Sequence, residues 1–231
     1  MKKILLLIIL FGQTYCNSQE LDGLWMLSNE RVINSNKGYR TNSKGFIIDF
    51  DKSAFSHIST DSIIQVNIDS QKKEISFKGE TEKLYINSYK NDSIEISLSE
   101  NSISIFYPLD LNHQLSMTKK EVSEYFINHK FERIRDSLQL NFSSKKSKLE
   151  LERKTKNMMT LKSRFLSNDE VIGNWYIGEK SSNYFLGLSL NPTNREYNIY
   201  QIISINNDKI KLKGLIEYDF LPDMTELKTS L

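Results

Sequence analysis

Between Leu24 and Tyr107 apolar and polar residues alternate with a period of two. "GFIIDFD" sets Phe46, Ile48 and Phe50 on one face. "SIIQVNID" sets Ile64, Val66 and Ile68 on one face, with Gln65 and Asn67 on the other. The same pattern runs through "KEISFKG" (Ile75, Phe77), "EKLYINS" (Leu84, Ile86), "DSIEISLS" (Ile94, Ile96, Leu98) and "SISIFYP" (Ile103, Ile105, Tyr107). Strands with one buried and one wet face read this way. The breaks, "DSQK", "KGET", "YKND" and "SEN", are short and polar, so neighbouring strands must be antiparallel hairpins. With a strand at 24–33 and a weaker one near 54–59, the count is about eight. The expected architecture is mainly β: an antiparallel up-and-down meander that closes into a small barrel or curls strongly.

The period then changes. "MTKKEVSEYFINHKF" offers Thr118 as N-cap and Glu121 at the capping-box position, with Val122, Tyr125, Phe126 and His129 at helical spacing. One short helix over 118–130 is predicted, plugging a barrel end or joining two β units. Beyond it, "SLQLNFS" and "KLELERK" alternate, whereas "KKSKLELERKTKNMMTLKSRFL" also fits a charged helix with Leu151, Met158, Leu161 and Phe165 on one side. Strands are the preferred reading of 131–166. From Gly173 the β pattern returns, and "INNDK" supplies a hairpin turn, since Asn and Asp tolerate positive φ. After Leu221 the tail reads as frayed or short. Past Trp175 there is room for about four strands, too few for an eight-stranded barrel. The second β unit is therefore expected to be the smaller, completed by strands from 131–166 or stacked on the first. The division that results is a first β unit at 19–116, a linking helix at 117–130 and a second β unit at 131–231.

The two tryptophans share a phrase, "LDGLWMLSN" at Leu21 and "VIGNWYIGE" at Val171. Gly23 and Gly173 let the chain turn sharply into a strand. Trp25 and Trp175 then point inward and cover the end of a sheet. Gly23-X-Trp25 followed by an eight-stranded meander resembles the lipocalin-like (calycin-type) β-barrel proteins. The likeness covers residues 21–107 and returns only as an echo at Gly173 and Trp175. It implies a closed barrel, a helix after the eighth strand and a basic residue packed on the first-strand Trp. Arg133 and Arg153 are the nearest candidates for that residue.

The chain begins "MKKILLLIILFGQTYCNSQE". Lys2 and Lys3, an apolar run from Ile4 to Phe11 and a polar stretch with small residues form the three parts of a secretory signal. The apolar run is shorter than the roughly 20 residues a membrane span needs, and no later segment comes close. Cleavage after Ser18 would leave a mature chain from Gln19. The competing reading is acylation of Cys16, as in bacterial lipoproteins; Tyr15 before it is bulky where that pattern calls for a small residue. Either way the mature domain has no other cysteine and is held by a packed core. Of 31 basic residues, Lys2 and Lys3 lie in the signal, and the 29 remaining balance 29 acidic ones. A neutral surface gives no electrostatic reason to expect nucleic acid or an anionic membrane as partner. Abundant Lys, Asn, Ser and Ile with few Gly and Pro look like an AT-rich bacterial genome.

Signs of chemistry are sparse. His57, His113 and His129 lie far apart without metal-ligand spacing, and no nucleophile-elbow, phosphate-loop or dinucleotide motif occurs. No cofactor is expected. Two carboxylate pairs, Asp49 with Asp51 and Glu217 with Asp219, keep a hydrolase open, since residues two apart on a strand meet the spacing such sites use. Tyr176, Tyr184, Phe185, Tyr197 and Tyr200 would line a groove or, more ordinarily, fill a core. The leading expectation is an exported, non-enzymatic protein of the periplasm or exterior that binds a small apolar ligand or an envelope protein. A membrane-anchored scaffold held through Cys16 comes second. Phe46, Phe50, Phe77 and either Phe106 or Tyr107 read as large inward residues, which argues for a filled barrel.

Overall fold

In the computed structural model the alternating segments become strands hydrogen-bonded in sequence order. The structure describes residues 21–32, 44–90, 92–99, 102–134, 138–144, 148–153, 170–189, 197–216 and 224–230. Eight strands make the first barrel: β1 (Leu24–Val32), β2 (Phe46–Asp49), β3 (Ala54–His57), β4 (Ile63–Asp69), β5 (Glu74–Phe77), β6 (Lys83–Lys90), β7 (Ser93–Ser99) and β8 (Ser102–Pro108). Each pairs antiparallel with the next, and β8 returns to β1 from Trp25↔Pro108 to Val32↔Ser102, so the sheet has no free edge. For β8 the structure decides between Phe106 and Tyr107 as the inward aromatic. Phe106 pairs with Leu27 and Ile94, both in the core, so Phe106 turns in and Tyr107 stands outside, 41% exposed.

The second half also closes. Its strands are β9 (Lys130–Arg133), β10 (Leu138–Ser143), β11 (Lys148–Arg153), β12 (Glu170–Lys180), β13 (Asn183–Ser189), β14 (Asn198–Asn206), β15 (Lys209–Ile216) and β16 (Glu226–Ser230). The unit expected to be smaller thus has as many strands as the first, and of its strands β11 comes from the segment that also fitted a charged helix. The tail that read as frayed supplies the closing strand: β16 lies between β15 and β9, with Leu227 opposite both Ile210 and Arg133. "ELKTS" carries one large apolar residue, too little alternation to announce a strand.

Helix α1 (Lys119–Asn128) stands between the barrels in sequence. Thr118 Oγ1 accepts the Glu121 backbone N–H, and Glu121 Oε2 accepts the Thr118 N–H at 2.7 Å, a reciprocal capping box. Its apolar side chains Val122 and Phe126 are fully buried among Phe131, Phe142 and Trp175. The helix therefore plugs the second barrel. No helix among the described residues is long and apolar enough to cross a membrane.

The barrels dock side by side. Every residue of β13 is buried, because one face fills the second barrel (Tyr184, Leu186, Leu188) while Phe185 on the other meets the first. Met26, Ile47, Ile58 and Leu109 join Phe185, Ile199 and Ile216 in one apolar cluster between them. The segment leaving β8 is fastened to the same face. Buried Asn183 donates to the Leu111 carbonyl at 2.8 Å and accepts from the His113 N–H at 3.0 Å, while buried Gln201 donates to the Asp110 carbonyl at 2.6 Å.

Candidate functional site

The barrel interiors come first, since a small ligand would sit there. An eight-stranded barrel either holds one such ligand or is filled by side chains. Trp25, Phe50, Phe55 and Phe106 pack with buried Ile and Leu in the first barrel. Trp25 Nε1 donates to the Asp22 carbonyl at 2.8 Å, and its ring meets the edge of Tyr89 at 5.7 Å. In the second, Trp175 Nε1 donates to the Ser143 carbonyl at 3.1 Å, and Tyr184 reaches the Met117 carbonyl through its hydroxyl at 2.6 Å. Large aromatic rings with satisfied polar ends occupy both.

The two Gly-X-Trp phrases differ in detail. Gly23 has φ 71° and immediately precedes β1, its N–H donating to Asp51 Oδ1 at 3.0 Å. Gly173 lies inside β12, opposite Leu149, and opens nothing, because that strand already begins at Glu170. Arg133 and Arg153 lie on β9 and β11 of the second barrel, so neither belongs to the barrel of Trp25, whose ring contacts Tyr89 instead.

The other singled-out residues disperse. Asp49 accepts the Lys52 N–H at 3.0 Å and pairs with its ammonium at 3.4 Å, closing the turn after β2. Asp51 receives Gly23, as above. Glu217, Asp219 and Cys16 lie outside the described residues. His113 pairs with Asp110 at 3.4 Å, and His129 stacks on Tyr125 with ring centres 4.3 Å apart. Among the described residues no three His, Cys, Asp or Glu side chains are arranged to hold a metal. Tyr184 and Tyr200 belong to the second core, while Tyr176 and Tyr197 meet edge-on at 5.0 Å between the barrels.

What the structure adds is a cleft of about 450 Å³ between the barrels. Its floor is the outward face of β2–β4, with Asp49, Ala54, Ser56, Ile63 and Gln65. Its wall is the β12–β13 hairpin, with Glu179, Lys180 and Ser181. Ile63 is 61% exposed, which leaves a bare aliphatic group among charges. Lys180 donates to the Thr60 carbonyl at 3.2 Å across the junction. Burial pushes its ammonium pKa down, Asp61 opposes this, and Lys119 and Lys52 add to it. Asp61 in turn pairs with Lys119 at 3.5 Å. The cleft thus combines an apolar patch, an amide and both signs of charge.

No motif announces this site, because its parts are up to 157 positions apart, from Leu24 to Ser181. One signal was in view: Ile63 and Ile64 are consecutive, and in a strand one of two neighbours must face out. The hairpin wall is marked in the structure alone. Ser181 and Ser182 both have positive φ, 48° and 58°, whereas Asn207 and Asp208, the turn within "INNDK" expected to use positive φ, have none. Comparison with protein-family models, with curated proteins and with solved structures finds no match to this chain.

Proposed function

We propose that this chain is an exported, non-enzymatic, lipocalin-like protein of the bacterial envelope that acts by binding a protein partner at its surface. The filling of both barrels carries the reading: the interior positions a small apolar ligand would need are held by Trp25, Phe50, Phe106, Trp175, Tyr184 and Tyr200. The inter-barrel cleft is the surface with the right chemistry. An exposed aliphatic residue rimmed by charged and amide groups is how the centre and rim of a protein interface are composed.

Native mass spectrometry of the protein from its own host envelope, followed by denaturation, tests the choice. The bare mass of the mature chain is expected; a mass excess released on unfolding would instead establish a small-ligand carrier. The same spectrum reads the N-terminus, where a chain starting at Gln19 fits simple export and an acylated Cys16 fits an anchored form. Cross-linking from a photoreactive group beside Ile63 should capture the partner, and Ile63→Glu should weaken that capture by about tenfold, the loss of one interface anchor. Equal capture by the variant would remove the cleft from consideration.

A further inference from the structure

The barrels meet through the turn between β3 and β4. The Ile58 carbonyl lies so close to Gly178 on β12 that a Cβ there would stand 2.1 Å from it. Two residues on, the Thr60 carbonyl takes the Lys180 ammonium. His57 stands at the start of this turn and holds its shape. Its Nδ1 accepts the Ser59 backbone N–H at 3.1 Å, with the Ser59 hydroxyl 2.7 Å away. That leaves the proton of the neutral ring on Nε2, which donates to the Lys44 carbonyl at 3.1 Å. The ring also meets Phe46 edge-on at 5.2 Å. Both nitrogens are therefore committed in the neutral form.

We infer that His57 is a pH-sensitive latch: protonating its imidazole releases the β3–β4 turn and loosens the docking of the first barrel on the second. The added proton goes to Nδ1, which then faces the Ser59 N–H donor to donor, and that bond is lost. The Ser59 hydroxyl can rotate to accept, but the backbone N–H cannot. Across the junction the charge that meets the imidazolium is the Lys180 ammonium, which repels it. On its own side Lys44 offers its carbonyl, and Asp61, further along the turn, is drawn to Lys119 and Lys180. Glu179, next to Lys180, faces the cleft. Burial holds the imidazole below its ordinary value of 6.5, the Lys44 bond opposes this, and Lys180 adds to the lowering. Because the folded value is the lower one, the unfolded chain binds the proton more readily. The contribution is therefore complete above about pH 6.5 and is lost as the pH falls through the folded value. The latch goes beyond the proposed binding and does not depend on it.

Nuclear magnetic resonance titration of the full chain from about pH 7.5 down through the His57 midpoint tests it. The His57 ring should titrate with a midpoint below 6.5. The amides of Ile58, Ser59 and, across the junction, Gly178 should shift with that same midpoint. In His57→Gln, which keeps a donor and an acceptor but takes no proton in this range, the Gly178 shift should disappear. The inference is overturned by a Gly178 amide that ignores the His57 titration, or by one that still moves at the same midpoint in the variant. Should the variant not fold, the wild-type comparison of midpoints decides alone.

Discussion

Phe131 and Leu140 of the second barrel have no exposed surface, whereas Val66 and Phe77 of the first are only partly covered and Ile64, on the same face as Val66, is 50% exposed. Strand number does not explain the contrast, since both barrels have eight. Covering does. Helix α1 closes one end of the second barrel, and the first barrel with the linking segment lies over β13 and β14. In the first barrel the outer faces of β4 and β6 meet solvent at Gln65, Asn67, Lys83 and Tyr85. The second barrel is thus the more completely covered of the two, and the open wall of the first lies at β4–β6.

The largest expected effect probes that difference in depth. Phe131→Ala removes a fully buried ring and should cost about 3–5 kcal/mol, while Phe77→Ala in the half-covered wall should cost under about 2 kcal/mol. Chemical denaturation measures both. Equal losses would show that the first barrel is as tightly packed in solution as the second, and the contrast would fail.

A second test addresses the junction. At Gly178 a methyl group would meet the backbone of Ile58, where no rotamer can give way. Gly178→Ala should cost about 1–3 kcal/mol, the usual range for overpacking, and weaken the docking more than either barrel. One tryptophan lies in each barrel, so versions keeping only Trp25 or only Trp175 report each half separately. The two melting curves should coincide in the parent and separate in the variant. Curves that stay together at a lowered temperature would mean the halves unfold as one unit despite the clash.

Much of this was legible in the chain. Alternation through 46–107 exposed the strands of the first barrel, and Thr118 with Glu121 marked the helix start. The closing strand was not, since Leu227 stands alone in a short polar segment and is buried only because β9 and β15 flank it. The doubly buried "NYFLGLS" reads as any apolar run; that its second face meets another barrel is a tertiary fact. Parity also failed to choose the inward face of "SISIFYP", because both faces carry an aromatic and the pairing with Leu27 decides. The cleft is a product of docking. Beyond the outward member of the Ile63–Ile64 pair, nothing within Asp49–Gln65 or Glu179–Ser181 alone reveals it.

The smallest effect concerns the cleft wall. Ser181 and Ser182 fill both positions of the β12–β13 turn with positive φ, where hairpins favour Asn followed by Gly. A left-handed residue with a Cβ is strained by about 1–2 kcal/mol, and glycine returns part of that gain through its freer unfolded state. Ser182→Gly should therefore stabilise the protein by about 0.5 kcal/mol, a rise of roughly 1–2 °C in Tm for a chain of this size. The Ser182 carbonyl that accepts the Leu115 N–H at 3.2 Å is kept, so the linking segment stays attached. Strain retained at a turn costs stability unless something depends on the turn's shape. If the variant is more stable and cross-linking at Ile63 is unchanged, the serines are merely tolerated. If stability rises while capture falls, the strained hairpin sets the cleft wall, and the surface of the first barrel depends on the second for its shape.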